Sequence, residues 1–557
     1  MRLPIILLFT LVTSIAFAQH SRYIIEFRNK EATTYSLNNP STFLSTSCIE
    51  RRNRFNIAID STDLPVPNAY IDSIRIAGNV EIINTSKWLN QVLIKTNDAA
   101  ALEKIRNFPF VKKEFAIAQI AIKSKESGRL NIGRPIKKEK SLETSQNVSS
   151  LNYGYAGPQI TMHEGEYLHN KGFQGAGIKI AVLDAGFYKY QNIPAFDSLR
   201  LNNRILDTWD FVQQNSSVNE DDAHGMWCLS ILAANIPGTF VGSAPEASYY
   251  LYRTEEVATE FPVEEQNWAS AAEQADSLGV DIITSSLGYN QFDDTVFNHT
   301  YSDMNGRNTM ITRAASFAIN KGIIVTNSAG NDGAKKWKYI VAPADGIDVL
   351  TVGAINILQK VAPFSSYGPS SDGRVKPDVT SVGWNTYLIS TTGEVGRGSG
   401  TSFSNPNIAG LTACLWQAFP TLSNKEIINA IRQSSDHYTN PDDRVGYGIP
   451  NMHKAYTILE VILQSKELKK NLKNDRLKIF PNPISNQFNI FYKSDLAGKV
   501  NFQLIDLSGR LIRTNSFELV KDSYQLFLID NLSSLSPGEY ILRYNDGVNS
   551  GNIKLLK

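Results

Sequence analysis

The chain runs to 557 residues, beyond the size at which one hydrophobic core stops growing, so roughly three or four domains are expected. Its 55 basic and 54 acidic side chains leave a net charge of +1, without the basic excess that marks a nucleic-acid binder, and 42% apolar with 20% charged residues is ordinary for globular protein. Cysteines are few and far apart, Cys48, Cys228 and Cys414, which excludes a disulfide scaffold; Cys228 and Cys414 fall in apolar runs and read as small buried residues.

Residues 1–18 read as a secretory signal peptide: Arg2 supplies charge, Leu3 to Phe17 is mostly apolar, and Ala16-Phe17-Ala18 is a small-x-small cleavage site. No later stretch has the roughly 18 consecutive apolar residues of a transmembrane helix, so export is predicted and a membrane-spanning anchor is not. Residues 19–122 form a small α+β unit, with strands over Tyr23–Phe27, Val80–Ile83 and Gln91–Lys95 and a helix over Ala99–Asn107. Residues 123–150, with Arg129, Arg134, Lys137, Lys138 and Lys140 and few apolar residues, read as an exposed linker open to proteolysis.

From 151 to 463 the rhythm changes to short apolar strands, Ile178–Leu183, Ile282–Thr284 and Ile323–Thr326, separated by helices such as Trp268–Leu278 and Ile311–Lys321. That pattern predicts an α/β domain whose parallel sheet is covered on both faces. The charged run Lys466–Lys473 places a second linker over 464–474. Residues 475–557 then alternate as strands, Phe488–Tyr492, Phe502–Ile505, Gln525–Ile529 and Tyr540–Tyr544, between turns at Ser508-Gly509 and Ser536-Pro537-Gly538: a small all-β sandwich.

Three segments of the α/β domain could carry chemistry. Asp184 ends the apolar strand Ile180-Ala181-Val182-Leu183, at the sheet edge where α/β folds build sites. His224-Gly225 opens an apolar helix, whereas the other histidines lack that setting: His20 sits at the mature terminus, and His163, His169, His299, His437 and His453 fall in more polar stretches. Gly398-Ser399-Gly400-Thr401-Ser402 leads into the helix Ile408–Phe419, with Pro406 acceptable in a first turn and Ser402 at the helix N-terminus. Taken singly, each has a plain structural explanation: a polar strand end, a helix-start histidine, an N-cap serine. Together they are the parts of nucleophilic catalysis, because a serine hydroxyl needs an imidazole to take its proton and the imidazole needs a carboxylate to fix its tautomer.

The order Asp184, His224, Ser402 and the surrounding residues resemble the signature blocks of the subtilisin-like serine proteases. Gly400-Thr401-Ser402 and Pro406 match the nucleophile block. Ser286-Leu287-Gly288 resembles the family's substrate-binding strand, which pairs with peptide backbone and, with Gly330, walls the primary specificity pocket. Ser328-Ala329-Gly330-Asn331-Asp332-Gly333 resembles the block that supplies the oxyanion-hole asparagine, here Asn331. The resemblance implies a serine endopeptidase with Ser402 as nucleophile, His224 as general base and acid, Asp184 orienting it, and protein or peptide substrates.

Departures from the family pattern are Met226 and Trp227 after His224-Gly225, Phe403 after Ser402, and Ser404 and Asn405 in place of small residues. The chemistry requires no cofactor; calcium is a structural ion in many relatives, but no carboxylate set for it is identifiable here. The N-terminal α+β unit resembles the family's propeptide. Phe480-Pro481-Asn482-Pro483, Leu535-Ser536-Pro537-Gly538-Glu539-Tyr540 and the terminal Lys554-Leu555-Leu556-Lys557 resemble the type IX secretion sorting domain of Bacteroidetes, which implies engagement of that machinery and an extracellular or surface destination. The rival reading is a catalytically silent binding protein on a protease scaffold, which would have no need of all four identities.

Overall fold

The computed structural model describes residues 20–119, 151–219, 222–471 and 476–557. The expected signal peptide and the 123–150 linker lie outside the described residues. Two compact units make up the chain, one ending at Leu459 and the other beginning at Glu460.

At the centre of the first unit lies a seven-stranded sheet in the order Val379–Val382, Leu350–Ile355, Ile324–Ser328, Ile282–Ser285, Lys179–Asp184, Ser248–Arg253, Ile205–Asp210, and every pairing is parallel. Residues alternate across it as the strand period requires. Ala181 and Leu183 join a core with the helices Val263–Ser277 and Met310–Asn320, while Ile180 and Val182 are buried on the opposite face, where His224–Ala233 and Thr401–Ala418 pack. Both faces are covered, which is why these strands read as unbroken apolar runs. In register, Leu183 lies beside Ser285 and Ser285 beside Asn327, so three strand ends leave the sheet at one edge. There the strand order reverses, at the switch point where such sheets hold ligands.

The N-terminal α+β domain is a four-stranded antiparallel sheet, ordered Glu81–Ser86, Gln91–Lys95, His20–Phe27, Val111–Gln119. One face, with Ile25, Phe27, Val92 and Ile94, packs on its own helices Asn68–Arg75 and Ala99–Arg106. The other, with Ile24, Leu93 and Ile117, meets Phe261 and Val263 of the α/β domain. Trp88 and Leu89, at the turn between two strands, enter the α/β core itself.

Charge locks this junction. Glu273 accepts hydrogen bonds from the Ser86 hydroxyl, from Lys87 N at 2.6 Å and from Trp88 N at 3.0 Å. A helix absent from the sequence reading, Thr46–Arg54, carries Arg51 and the fully buried Arg52 onto Asp276, and Arg52 also reaches Asp63 at 3.0 Å.

The second unit holds a three-stranded sheet, Leu477–Phe480, Phe488–Ser494, Ser523–Ile529, and a four-stranded one, Leu511–Leu519, Gly498–Asp506, Glu539–Asn545, Ser550–Leu556. All pairs are antiparallel, and Ile490, Tyr492, Phe502, Leu504 and Leu542 share one core, the anatomy of a sandwich. The expected 464–474 linker is a helix over most of its length: Met452–Asn471 continues through the charged run, whose Lys, Glu and Leu residues are strong helix formers.

Candidate active site

Asp184 is the last residue of its strand and fully buried, and its Oδ1 accepts a hydrogen bond from His224 Nδ1 at 2.6 Å. His224 opens the helix His224–Ala233, its backbone N–H donating to Asp222 Oδ1 at 2.6 Å. Gly225 permits the approach. A Cβ there would stand 2.6 Å from Gly186 O and 2.8 Å from Asp184 Cβ, so any other residue would push the helix off the strand. Burial opposes a charged imidazole, yet the Asp184 carboxylate, with Cys228 one turn on, holds His224 well above its usual range.

Ser402 is the second residue of the helix Thr401–Ala418 and 3% exposed. The helix begins seven residues before the predicted start at Ile408, so Pro406 lies inside it, past the first turn. A proline there has no N–H for the carbonyl four residues earlier, and that carbonyl is Ser402 O. Two side chains take the place of the missing donor, Ser286 Oγ at 2.9 Å and Cys228 Sγ at 3.3 Å. Cys228 thereby lies between the two helices, 4.0 Å from His224 Nδ1, with its thiol pushed up by burial: a buried neutral group, as the sequence reading expects.

The Ser402 hydroxyl donates to Ser286 O at 3.2 Å, and His224 Nε2 has no hydrogen-bond partner among the described residues. Asp184 and His224 are therefore joined, while the Ser402 hydroxyl is turned to Ser286 and the Ser402 carbonyl is linked to their side through Cys228 Sγ. Asn331 is tied to the same helix start: its Oδ1 accepts from Thr401 N at 2.9 Å and from Thr401 Oγ1 at 3.1 Å, which leaves the amide NH2 as its donor end. Gly330, at φ +109°, makes the turn that no Cβ would allow beside Ser366 Oγ.

Ser286, Leu287 and Gly288 follow the strand Ile282–Ser285, with Gly288 packed flush on Val341. Sequence reasoning missed what holds them. Asn327, buried within its strand, donates from Nδ2 to Leu287 O at 2.9 Å and accepts from the Ser285 hydroxyl. A lone amide in an apolar strand was the available signal. The histidines outside the site also differ from expectation: His163 and His169 are buried, with His163 bonded to Ser381 Oγ at 2.8 Å and His169 to the Tyr153 hydroxyl at 2.7 Å, because each spans two elements far apart in sequence.

Comparison with known proteins finds relatives for each part of the chain. Residues 175–448 match the subtilase family, residues 22–131 the peptidase S8 propeptide domain of Bacteroidota, and residues 478–557 the secretion system C-terminal sorting domain. Serine protease AprX of Bacillus subtilis (strain 168) is 28% identical over 311 residues, 50% of this chain and 66% of that protein. Subtilisin-like protease SBT6.1 of Arabidopsis thaliana is 26% identical over 331 residues, 58% of this chain and 29% of that protein. Subtilisin E of Bacillus subtilis (strain 168) is 27% identical over 312 residues, 55% of this chain and 72% of that protein.

Proposed function

Because the chain is a subtilase-family protein with that family's propeptide and a secretion sorting domain, we propose that it is an exported serine endopeptidase whose acyl-enzyme forms on Ser402. The observation that carries this reading is the 2.6 Å bond from His224 Nδ1 to the buried Asp184, with Nε2 left unpaired.

In the mechanism, a peptide strand pairs with Ser286–Gly288 and its N–H competes for Ser286 O. The Ser402 hydroxyl, released from that carbonyl, rotates to His224 Nε2. Oγ then attacks the scissile carbonyl carbon as Nε2 takes its proton, and Asp184 stabilises the imidazolium. The oxyanion is held by the Asn331 NH2 and the Ser402 N–H at the helix start. The tetrahedral adduct collapses with cleavage of the C–N bond, His224 protonating the leaving amine, and water repeats the sequence to free the acid. Protein groups supply every step.

Residues 19–122 cover the α/β domain as a propeptide until cleavage within 123–150 separates them. The C-terminal domain engages the type IX export machinery, and the mature enzyme works outside the cell or on its surface. Among the described residues no helix is long and apolar enough to cross a membrane. Hydrolysis of an unfolded protein substrate by the secreted chain tests the reading: Ser402→Ala should lower kcat by about 10⁶, and equal rates for the two chains would refute it.

A further inference from the structure

The loop that follows the strand Ser248–Arg253 enters the cleft beside the catalytic aspartate, since Thr254 N donates to Asp184 O at 3.0 Å. Glu255 comes next and accepts a hydrogen bond from the hydroxyl of Tyr289, the residue immediately after Gly288. Glu255 thus lies between the Asp184 end of the sheet and the end of the strand on which the peptide is seated. Glu260 and Glu264 face it from the same loop and from the first turn of the helix Val263–Ser277. Carboxylates gathered in poorly hydrated surroundings repel one another unless a cation joins them. Among the described residues no lysine or arginine pairs with Glu255, Glu260 or Glu264, although their neighbours Glu256 and Glu265 are matched, by Arg22 and His299.

Two observations beyond the clustering point to a cationic guest. Glu264 is 1% exposed; its Oε1 accepts from Glu256 N at 2.7 Å, which sets it beside Glu255, but its Oε2 has no hydrogen-bond partner. The same loop has also drawn in a guanidinium, because Arg22 comes across from the N-terminal domain to Glu256. A single metal ion does not suit the arrangement. Among the described residues the only trio of His, Cys, Asp or Glu whose ligand atoms lie within 4.8 Å of one another is Asp184, His224 and Cys228, so the glutamates stand too far apart to close on one ion. A guanidinium, planar with five donors, or a lysine ammonium on its long stem fits such a spread.

We propose that Glu255, Glu260 and Glu264 wall a subsite for the cationic side chain of an arginine or lysine, upstream of the bond that Ser402 attacks. This rests on the protease reading above and narrows its substrate class to peptides with a basic residue on that side of the cut. Burial and Asp293, which accepts from Glu260 N at 3.1 Å, raise the Glu260 carboxyl to about 7. Burial and Glu260 hold Glu255 well above the carboxylate range, with Tyr289, Asp184 and His224 also facing it; burial, Glu255, Glu260 and Glu256 do the same for Glu264. Since these groups are neutral at low pH, their grip on a cation strengthens as pH climbs.

The test uses the full chain as secreted and matured, with fluorogenic peptides that differ only in arginine against its uncharged isostere citrulline at each of the first four positions upstream of the cut. At one position arginine should be favoured by about tenfold in kcat/KM, by the strength of a charge-assisted bond. That ratio should grow as pH rises through 7 and fall toward one in the Glu255→Gln/Glu264→Gln chain. Ratios near one at all four positions, with cleavage still dependent on Ser402, would overturn this subsite while leaving the protease reading intact; so would an arginine preference that the double variant leaves unchanged. The natural ratios need no variant to fold. Absence of any Ser402-dependent cleavage would instead overturn the protease reading, and this inference with it.

Discussion

The junction with the N-terminal domain and the cleft around His224 are both buried and both rich in charge, but their carboxylates are met differently. At the junction the carboxylates are matched: Glu273 by three donors of residues 86–88, Asp276 by Arg51 and Arg52. In the cleft His224 Nε2 and Glu264 Oε2 have no partner, and the Ser402 hydroxyl rests on a carbonyl. A buried polar atom without a partner is costly, and both regions hold some: Arg52 Nε and Nη1 and Trp88 Nε1 at the junction, and in the cleft His224 Nε2, where on the proposed mechanism a substrate completes the structure. Matched carboxylates hold two pieces of protein together at the junction; in the cleft the unpaired imidazole nitrogen is free for the proposed chemistry.

The largest expected effect breaks the cleft. Asp184→Asn should lower kcat by about 10⁴, because the imidazole loses its tautomer and its counter-charge. It should also move the acid limb of the pH–rate profile. His224 must be neutral to act as base, and Asp184 raises its proton affinity, so activity climbs with pH through a value above the usual histidine range. Without that carboxylate the limb shifts to lower pH. A limb that stayed in place would mean another group controls it.

Asp276→Ala should break the junction instead, removing the carboxylate that the buried Arg51 and Arg52 share. In the uncleaved Ser402→Ala chain it should cost about 3–5 kcal/mol of stability, read from the denaturant midpoint. Asn331→Ala returns to the cleft and is smaller: kcat lower by about 10² to 10³ with KM nearly unchanged, since its NH2 matters only once an oxyanion forms. Smallest is Glu273→Gln, which keeps the shape but weakens three hydrogen bonds, and about 1–3 kcal/mol of stability should go in the same denaturation assay. If Asp276→Ala and Glu273→Gln changed nothing, the matched charges would be incidental to the junction.

Much of the cleft was legible because its groups stand on local signals: Asp184 at the end of an apolar strand, His224 and Ser402 at helix starts beside glycines, and motif order that tied them together. Three of the seven strands of the parallel sheet came within two residues, since both faces are covered and the runs are unbroken, while Ile205–Asp210, Ser248–Arg253, Leu350–Ile355 and Val379–Val382 were not placed. The junction was not legible. Thr46–Arg54 buries Arg51 and Arg52, and a helix that hides arginines has no apolar stripe to betray it. Val111–Gln119 mixes Lys112, Lys113 and Glu114 with residues that meet another domain, so its alternation is blurred. Pro406 misled for a related reason: donors from Ser286 and Cys228, more than a hundred residues away, allow the helix to run through it.

The most direct test of the account is to label the secreted, processed chain with a fluorophosphonate probe and locate the adduct by mass spectrometry. One adduct is expected, on Ser402, lost in His224→Ala as well as Ser402→Ala. A folded, processed chain that stays unlabelled, or carries its adduct on another residue, would contradict it.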